Sequence, residues 1–114
     1  MSFKVDLKEE PEVDWPITIC VPADGGKVNK SKVTVRFKLL DGDKLRGLGA
    51  GAPAYSVLKD HVIGLGPEFI DNDTGKKLEF TPEILKALVA KPWIQRAFSL
   101  GLIEASSGAA AKNS

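Results

Sequence analysis

Apolar and polar residues alternate in two stretches of the first third of the chain. In WPITICV, residues 15–21, Trp15, Ile17, Ile19 and Val21 fall on one side and Pro16, Thr18 and Cys20 on the other, the period of a half-buried strand. Pro16 has no N–H for a ladder, which puts it at the strand's start or on a sheet edge. In KVTVRFKL, residues 32–39, the alternation is cleaner: Val33, Val35, Phe37 and Leu39 inward, Lys32, Thr34, Arg36 and Lys38 outward. The Asp-Gly-Gly signal within the intervening PADGGKVNKS predicts an antiparallel hairpin with a long, mobile tip.

Further on the period changes from two to that of a helix. Thr81 and Pro82 form an N-cap and first-turn pair, followed by Ile84, Leu85, Leu88 and Val89 at helical spacing. That helix stops before Pro92, whose ring disfavours a helical Lys91, and a second helix restarts at Pro92 with the stripe Trp93, Ile94, Ala97, Phe98 and Leu102. In the middle, a short helix from Asp41 or Asp43 would hold Leu45 and Leu48. Another, from Tyr55 to Val62, would turn Val57, Leu58 and Val62 inward. Glycines at 47, 49, 51, 64 and 66 punctuate this region, and residues 67–79 read as a loop or tiny hairpin around Asp73-Thr74-Gly75 anchored by Phe69 and Leu78 or Phe80. A two-stranded hairpin is marginal alone, so its apolar face must be covered. The expected class is α+β, an N-terminal antiparallel hairpin packed against three to four short helices. The expected organisation is a polar N-terminal segment 1–14, one domain over 15–105 and a flexible tail over 106–114.

With 114 residues, 43% of them hydrophobic, the chain can bury a modest core without metal or disulfide. Its 16 basic and 15 acidic residues leave a net charge of +1, so no global field draws nucleic acid or an anionic membrane. The one local basic cluster, Lys27, Lys30, Lys32, Arg36 and Lys38, has no interleaved aromatic residue for stacking on bases and reads as a solvated strand face. A single cysteine, Cys20, makes no intramolecular disulfide and fits a reducing compartment. Neither a secretory h-region nor an apolar run of about 18–20 residues is present, so a cytoplasmic protein is expected.

The chemistry-bearing residues do not form a recognisable set. His61 is the only histidine, its neighbour Asp60 points elsewhere on a helix, and it reads as a surface or boundary residue. Cys20 lies on the face opposite the apolar set and reads as a small packing residue. GLGAGAP, residues 47–53, is not followed by the Lys-Ser or Lys-Thr of a phosphate loop. DNDTGKKLE would put Gly75 and Pro82 where a calcium loop needs oxygen ligands. No catalytic, metal or cofactor residue is expected and no enzyme, which leaves binding or assembly.

In order along the chain stand VPADGGKV, VTVRFKLL, a middle segment ending LKDHVIG, then DNDTGKKLEFTPEILKALVAKPWIQRAF, and a terminus ending AAAKN. This order resembles the phage tail assembly chaperones encoded beside tape-measure genes in long-tailed phages and prophages. The chain departs from that pattern at GLGAGAP and at GLGPE, residues 64–68, where the family carries a tryptophan-bearing segment. The resemblance implies a protein of the host bacterial cytoplasm that is left out of the mature virion. It would bind the long, helical, apolar tape-measure protein, keep it soluble and recruit tail-tube subunits, with weak self-association allowed and neither nucleic acid nor membrane as partner. The family commonly makes a longer product by a minus-one frameshift, and Ala111, Lys112 and Asn113 are compatible with a slippery A-AAA-AAC heptamer. Partner-binding residues are expected at Trp93, Phe98, Leu102 and Leu48, since aromatic residues dominate interface energetics. The same Trp93, Phe98 and Leu102 serve equally as cover for the hairpin's apolar face. The rivals are a small structural tail or connector protein, adding a sheet edge to a neighbour, and a nucleic-acid-binding hairpin.

Overall fold

The computed structural model describes residues 2–7, 10–49 and 54–110, with the side chains of 47–49 and 54 excepted. Strand β1 (Glu12–Ala23) pairs with β2 (Lys27–Lys38), and β2 pairs with a short β3 (Val62–Leu65), giving an antiparallel sheet of order β1-β2-β3. Four helices complete the fold: α1 (Gly42–Gly49), α2 (Ala54–His61), α3 (Pro82–Val89) and α4 (Pro92–Ser106). The fold class is the expected α+β.

The hairpin is longer and tighter than its hydrophobic pattern implies. Only Asp24–Gly26 turn, with Gly25 and Gly26 at φ of 76° and 78°, a backbone region that other residues enter at a cost. Pairing runs unbroken from Glu12↔Lys38 to Ala23↔Lys27, so the expected long mobile tip is replaced by ladder. Backbone pairing needs no apolar side chains, and for this reason the ladder outruns the apolar face. Residues 27–32 are all exposed, and the arm contributes to a molecule 49 Å long and 29 Å across.

Nearer its base the hairpin has one covered face. Ile17, Ile19, Val33, Val35 and Phe37 are buried there, against α4, with Leu58, Leu85, Val89, Ile94, Phe98 and Leu102 in the same core. Gly101 marks the closest approach of helix and sheet: a Cβ there would lie 2.4 Å from Ile17 Cγ2 and 3.4 Å from Phe37 Cε2. Phe69 holds the 66–80 segment to α4, its ring edge-on to that of Phe98 at 6.1 Å between centroids. The Asp73-Thr74-Gly75 turn forms as expected, closed by an Ile70↔Lys77 bridge.

The helix signals at the C-terminal end are obeyed. Thr81 Oγ1 accepts the Ile84 N–H at 3.1 Å, α3 stops at Val89, and α4 begins at Pro92. Helix α4 ends at Ser106, where the tail was expected to begin, but the chain stays bonded to the fold just beyond it. Ser106 Oγ accepts the Leu40 N–H at 2.9 Å, and Gly108 at φ 76° closes α4 with bonds from Gly108 N to Ala105 O and Ala109 N to Glu104 O. Residues 106–109 are therefore hydrogen-bonded to the folded unit, just as Glu12–Asp14, assigned to a polar N-terminal segment, belong to β1.

Two further expectations fail in the middle of the chain. The helix that was to include Val62 ends at His61, because Val62 and Ile63 are β-branched and take up the free edge of β2 as β3. His61 is 2% exposed, so it is neither a surface nor a boundary residue. Its Nδ1 lies 2.7 Å from Lys38 O, and since a carbonyl only accepts, Nδ1 carries the hydrogen.

Candidate functional site

The two long edges of the sheet are finished differently. On the β2 side, β3 covers Val35 to Phe37, Gly66 N–H donates to Thr34 O at 2.7 Å, and the Glu68 carboxylate accepts from Thr34 N–H at 3.1 Å and Thr34 Oγ1 at 3.0 Å. The Glu68 carboxyl is held below the usual carboxylate range, chiefly by its own backbone N–H; desolvation opposes this, and the two bonds from Thr34 lower it further. These bonds also fix the phase of the ladder. Thr34 turns its N–H and C=O away from β1, so its partner Pro16 turns away from β2, and with it every even-numbered residue of β1.

The outward row of β1 is thus Glu12, Asp14, Pro16, Thr18, Cys20 and Pro22, and among the described residues no further strand lies beside β1. Two of the six are prolines, each of which removes one donor from the edge and leaves its carbonyl as an acceptor. Pro16 is where the sequence put it, on an edge strand.

Beside that edge runs a groove of about 310 Å³, lined by Pro16, Ile17 and Thr18 from β1 and by Ala97, Leu100, Gly101 and Ile103 among others from α4. None of its lining residues belongs to β2, so it opens on the free side of β1. Leu100 is 54% exposed within it, an apolar side chain with a polar rim from Glu104 and Ser107. Glu104 bridges to the sheet by accepting the Trp15 Nε1 hydrogen at 2.9 Å. Thr18 also lines the groove, and its Oγ1 is the one buried side-chain N or O atom without a hydrogen-bond partner among the described residues.

The expected interface residues are dispersed by this arrangement. Phe98 and Leu102 are wholly buried, between α4 and the sheet, so they face the core and offer no surface to a partner. The same helical stripe that marks them as apolar is the stripe that covers Phe37 and Ile17. Trp93 is half-buried against the core at the start of α4 and does not line the groove. Leu48 falls within α1, but its side chain lies outside the described residues, as do Ala111, Lys112 and Asn113 altogether. What sequence reasoning missed is Leu100 and Ile103, on the flank of α4 next to its buried stripe; the signal was a large apolar residue out of phase with the stripe.

The remaining candidates carry no chemistry into the groove. Cys20 is a free thiol, half-buried. Arg36 is engaged with Asp14 at 3.2 Å and Glu12 at 3.7 Å, which leaves Lys27, Lys30 and Lys32 as the exposed positive charges of the arm. Among the described residues no group of three or more His, Cys, Asp or Glu is placed to hold a metal, and no helix is long and apolar enough to cross a membrane. No family model, curated protein or solved structure matches the chain.

Proposed function

We propose that this protein is a tail assembly chaperone of a long-tailed phage or prophage. It binds the tape-measure protein in the host cytoplasm, keeps it soluble, helps recruit tail-tube subunits, and is left out of the virion. The observation that carries this reading is the apolar groove between α4 and the open edge of β1, with Leu100 half-exposed inside it. A long helical protein with an apolar stripe is insoluble until that stripe is covered, and a groove of this kind receives such a stripe. The order of the VPADGGKV, VTVRFKLL and TPEILKALVAKPWIQRAF segments supports the same assignment.

The test is co-expression with the tape-measure protein of the same gene cluster. Wild-type chain keeps the tape-measure protein in the supernatant and is recovered bound to it. Leu100→Glu, in a folded protein, loses both effects. An unaltered Leu100→Glu complex would remove the groove from the reading. The longer frameshifted product is checked by a blot of infected cells, in which a minor larger band disappears when the codons for Lys112 and Asn113 are synonymously recoded.

The open edge of β1 favours one second reading, a structural tail component that adds this edge to a neighbour's sheet. Purified particles separate the two: the chain is present in them on this reading and absent on the first.

A further inference from the structure

The described residues before β1 have a strand's pattern and no sheet. In SFKVDL, residues 2–7, Phe3, Val5 and Leu7 alternate with Lys4 and Asp6, and these three apolar side chains are 89%, 60% and 90% exposed. Large apolar residues so fully in water at every second position ask for a cover. The same molecule carries an open strand edge beside an apolar groove. We propose that residues 2–7 of one copy add to the free edge of β1 in a second copy, so that two chains exchange their N-terminal segments in a closed symmetric dimer.

The pleat fixes how the two fit. The odd residues of β1, Val13, Trp15 and Ile17, point to the α4 side, and so an added strand with Phe3, Val5 and Leu7 opposite odd residues lays all three along the groove at Leu100 and Ile103. The bonds to the added strand then come from Asp14, Pro16 and Thr18, of which Pro16 accepts but cannot donate. The added strand also brings hydrogen-bonding groups to the edge where Thr18 Oγ1 is unpartnered.

Within one chain the segment lies off its own β1 and the edge stays open, which directs the segment to a second copy. The Pro11 carbonyl already accepts the Leu39 N–H at 2.9 Å, so the pairing with β2 begins there. Leu7 stands in a turn and Glu10 is held extended by the proline after it, and among the described residues no strand pairing joins residues 2–7 to β1. In exchange between copies no tight reversal is needed, and each chain fills one groove and offers one segment.

This does not depend on the tape-measure reading, and its test needs no partner. Sedimentation equilibrium on the full chain gives a concentration-dependent species of twice 12.2 kDa. The doubly substituted Phe3→Glu, Val5→Glu chain is monomeric, with the circular dichroism spectrum and melting temperature of wild type diluted below its dimer range, because neither residue touches the core. Leu100→Glu is monomeric too, and mixing the two variants restores a heterodimer, since one keeps its groove and the other its segment. A wild-type chain that stays monomeric up to its solubility limit overturns the proposal. So does a dimer that survives Phe3→Glu, Val5→Glu, or a monomer in which the amides of residues 2–7 are protected from exchange, which would show a fold-back. If only the tape-measure reading fails, the dimer and its dependence on Phe3 and Val5 remain.

Discussion

Helix α4 presents two apolar surfaces of different kinds. The inner one, Ile94, Ala97, Phe98, Gly101, Leu102 and Ala105, is buried against the hairpin and closes so tightly at Gly101 that no side chain fits. The flank, Leu100 with Ile103, borders the groove and remains partly in water. The difference teaches that apolarity on a helix reports only a wish for burial, and the geometry of the neighbouring strand decides whether that burial is internal. On the inner side β1 lies across the helix; on the flank β1 is the edge, with no described strand beyond it.

The largest effect expected from breaking this contrast is at Phe98. Phe98→Ala removes a ring with no exposed surface and its edge-on contact with Phe69, and a loss of about 3–5 kcal/mol is expected in urea unfolding. Gly101→Ala comes next. Overpacking against Ile17 costs about 1–3 kcal/mol. The gain in helix propensity, about 1 kcal/mol, offsets only part of this, so the melting temperature falls. Trp15→Phe keeps the ring's bulk but leaves Glu104 without its donor, for a loss of about 0.5–1.5 kcal/mol by the same unfolding measurement. Leu100→Glu sharpens the comparison from the other side: monomer stability, compared with wild type diluted below its dimer range, stays within about 0.5 kcal/mol while partner and self-association are lost.

The smallest effect lies at the opposite sheet edge and is read through pH. The Glu68 carboxyl is lowered in the folded protein, so its contribution is present above the ordinary carboxylate value and is lost as pH falls through the lowered one. Urea midpoints of wild type should fall slightly over that window relative to Glu68→Gln, which lacks the step. The side chain is exposed, so solvent screening keeps the difference small.

What was legible in the sequence is what local chemistry decides. The inward sets of β1 and β2, the Thr81-Pro82 start, the break before Pro92 and the Asp73-Thr74-Gly75 turn each follow from a few adjacent residues. The hairpin's extension to Lys27 and Ala23 was not legible, since ladder bonds form without apolar side chains. Strand β3 was missed because VIGL continues a helical apolar pattern until a free edge competes for it. His61 was misplaced for the same reason: its burial depends on Lys38 lying beside it, 23 residues away. The groove is the least local feature of all. It exists only because the third strand joined β2 and left β1 outermost, an ordering no stretch of sequence encodes by itself.

The bond from Trp15 to Glu104 joins residues 89 positions apart. Closing the hairpin at Asp24–Gly26 gathers only a few residues, whereas bringing α4 onto β1 gathers nearly the whole chain at a higher entropic cost. On the ribosome, which adds roughly 5–20 residues per second, the hairpin emerges and zips seconds before its cover does. During that interval the Ile17, Ile19, Val33, Val35 and Phe37 surface stands open, shaped to receive an amphipathic helix that has not yet been made.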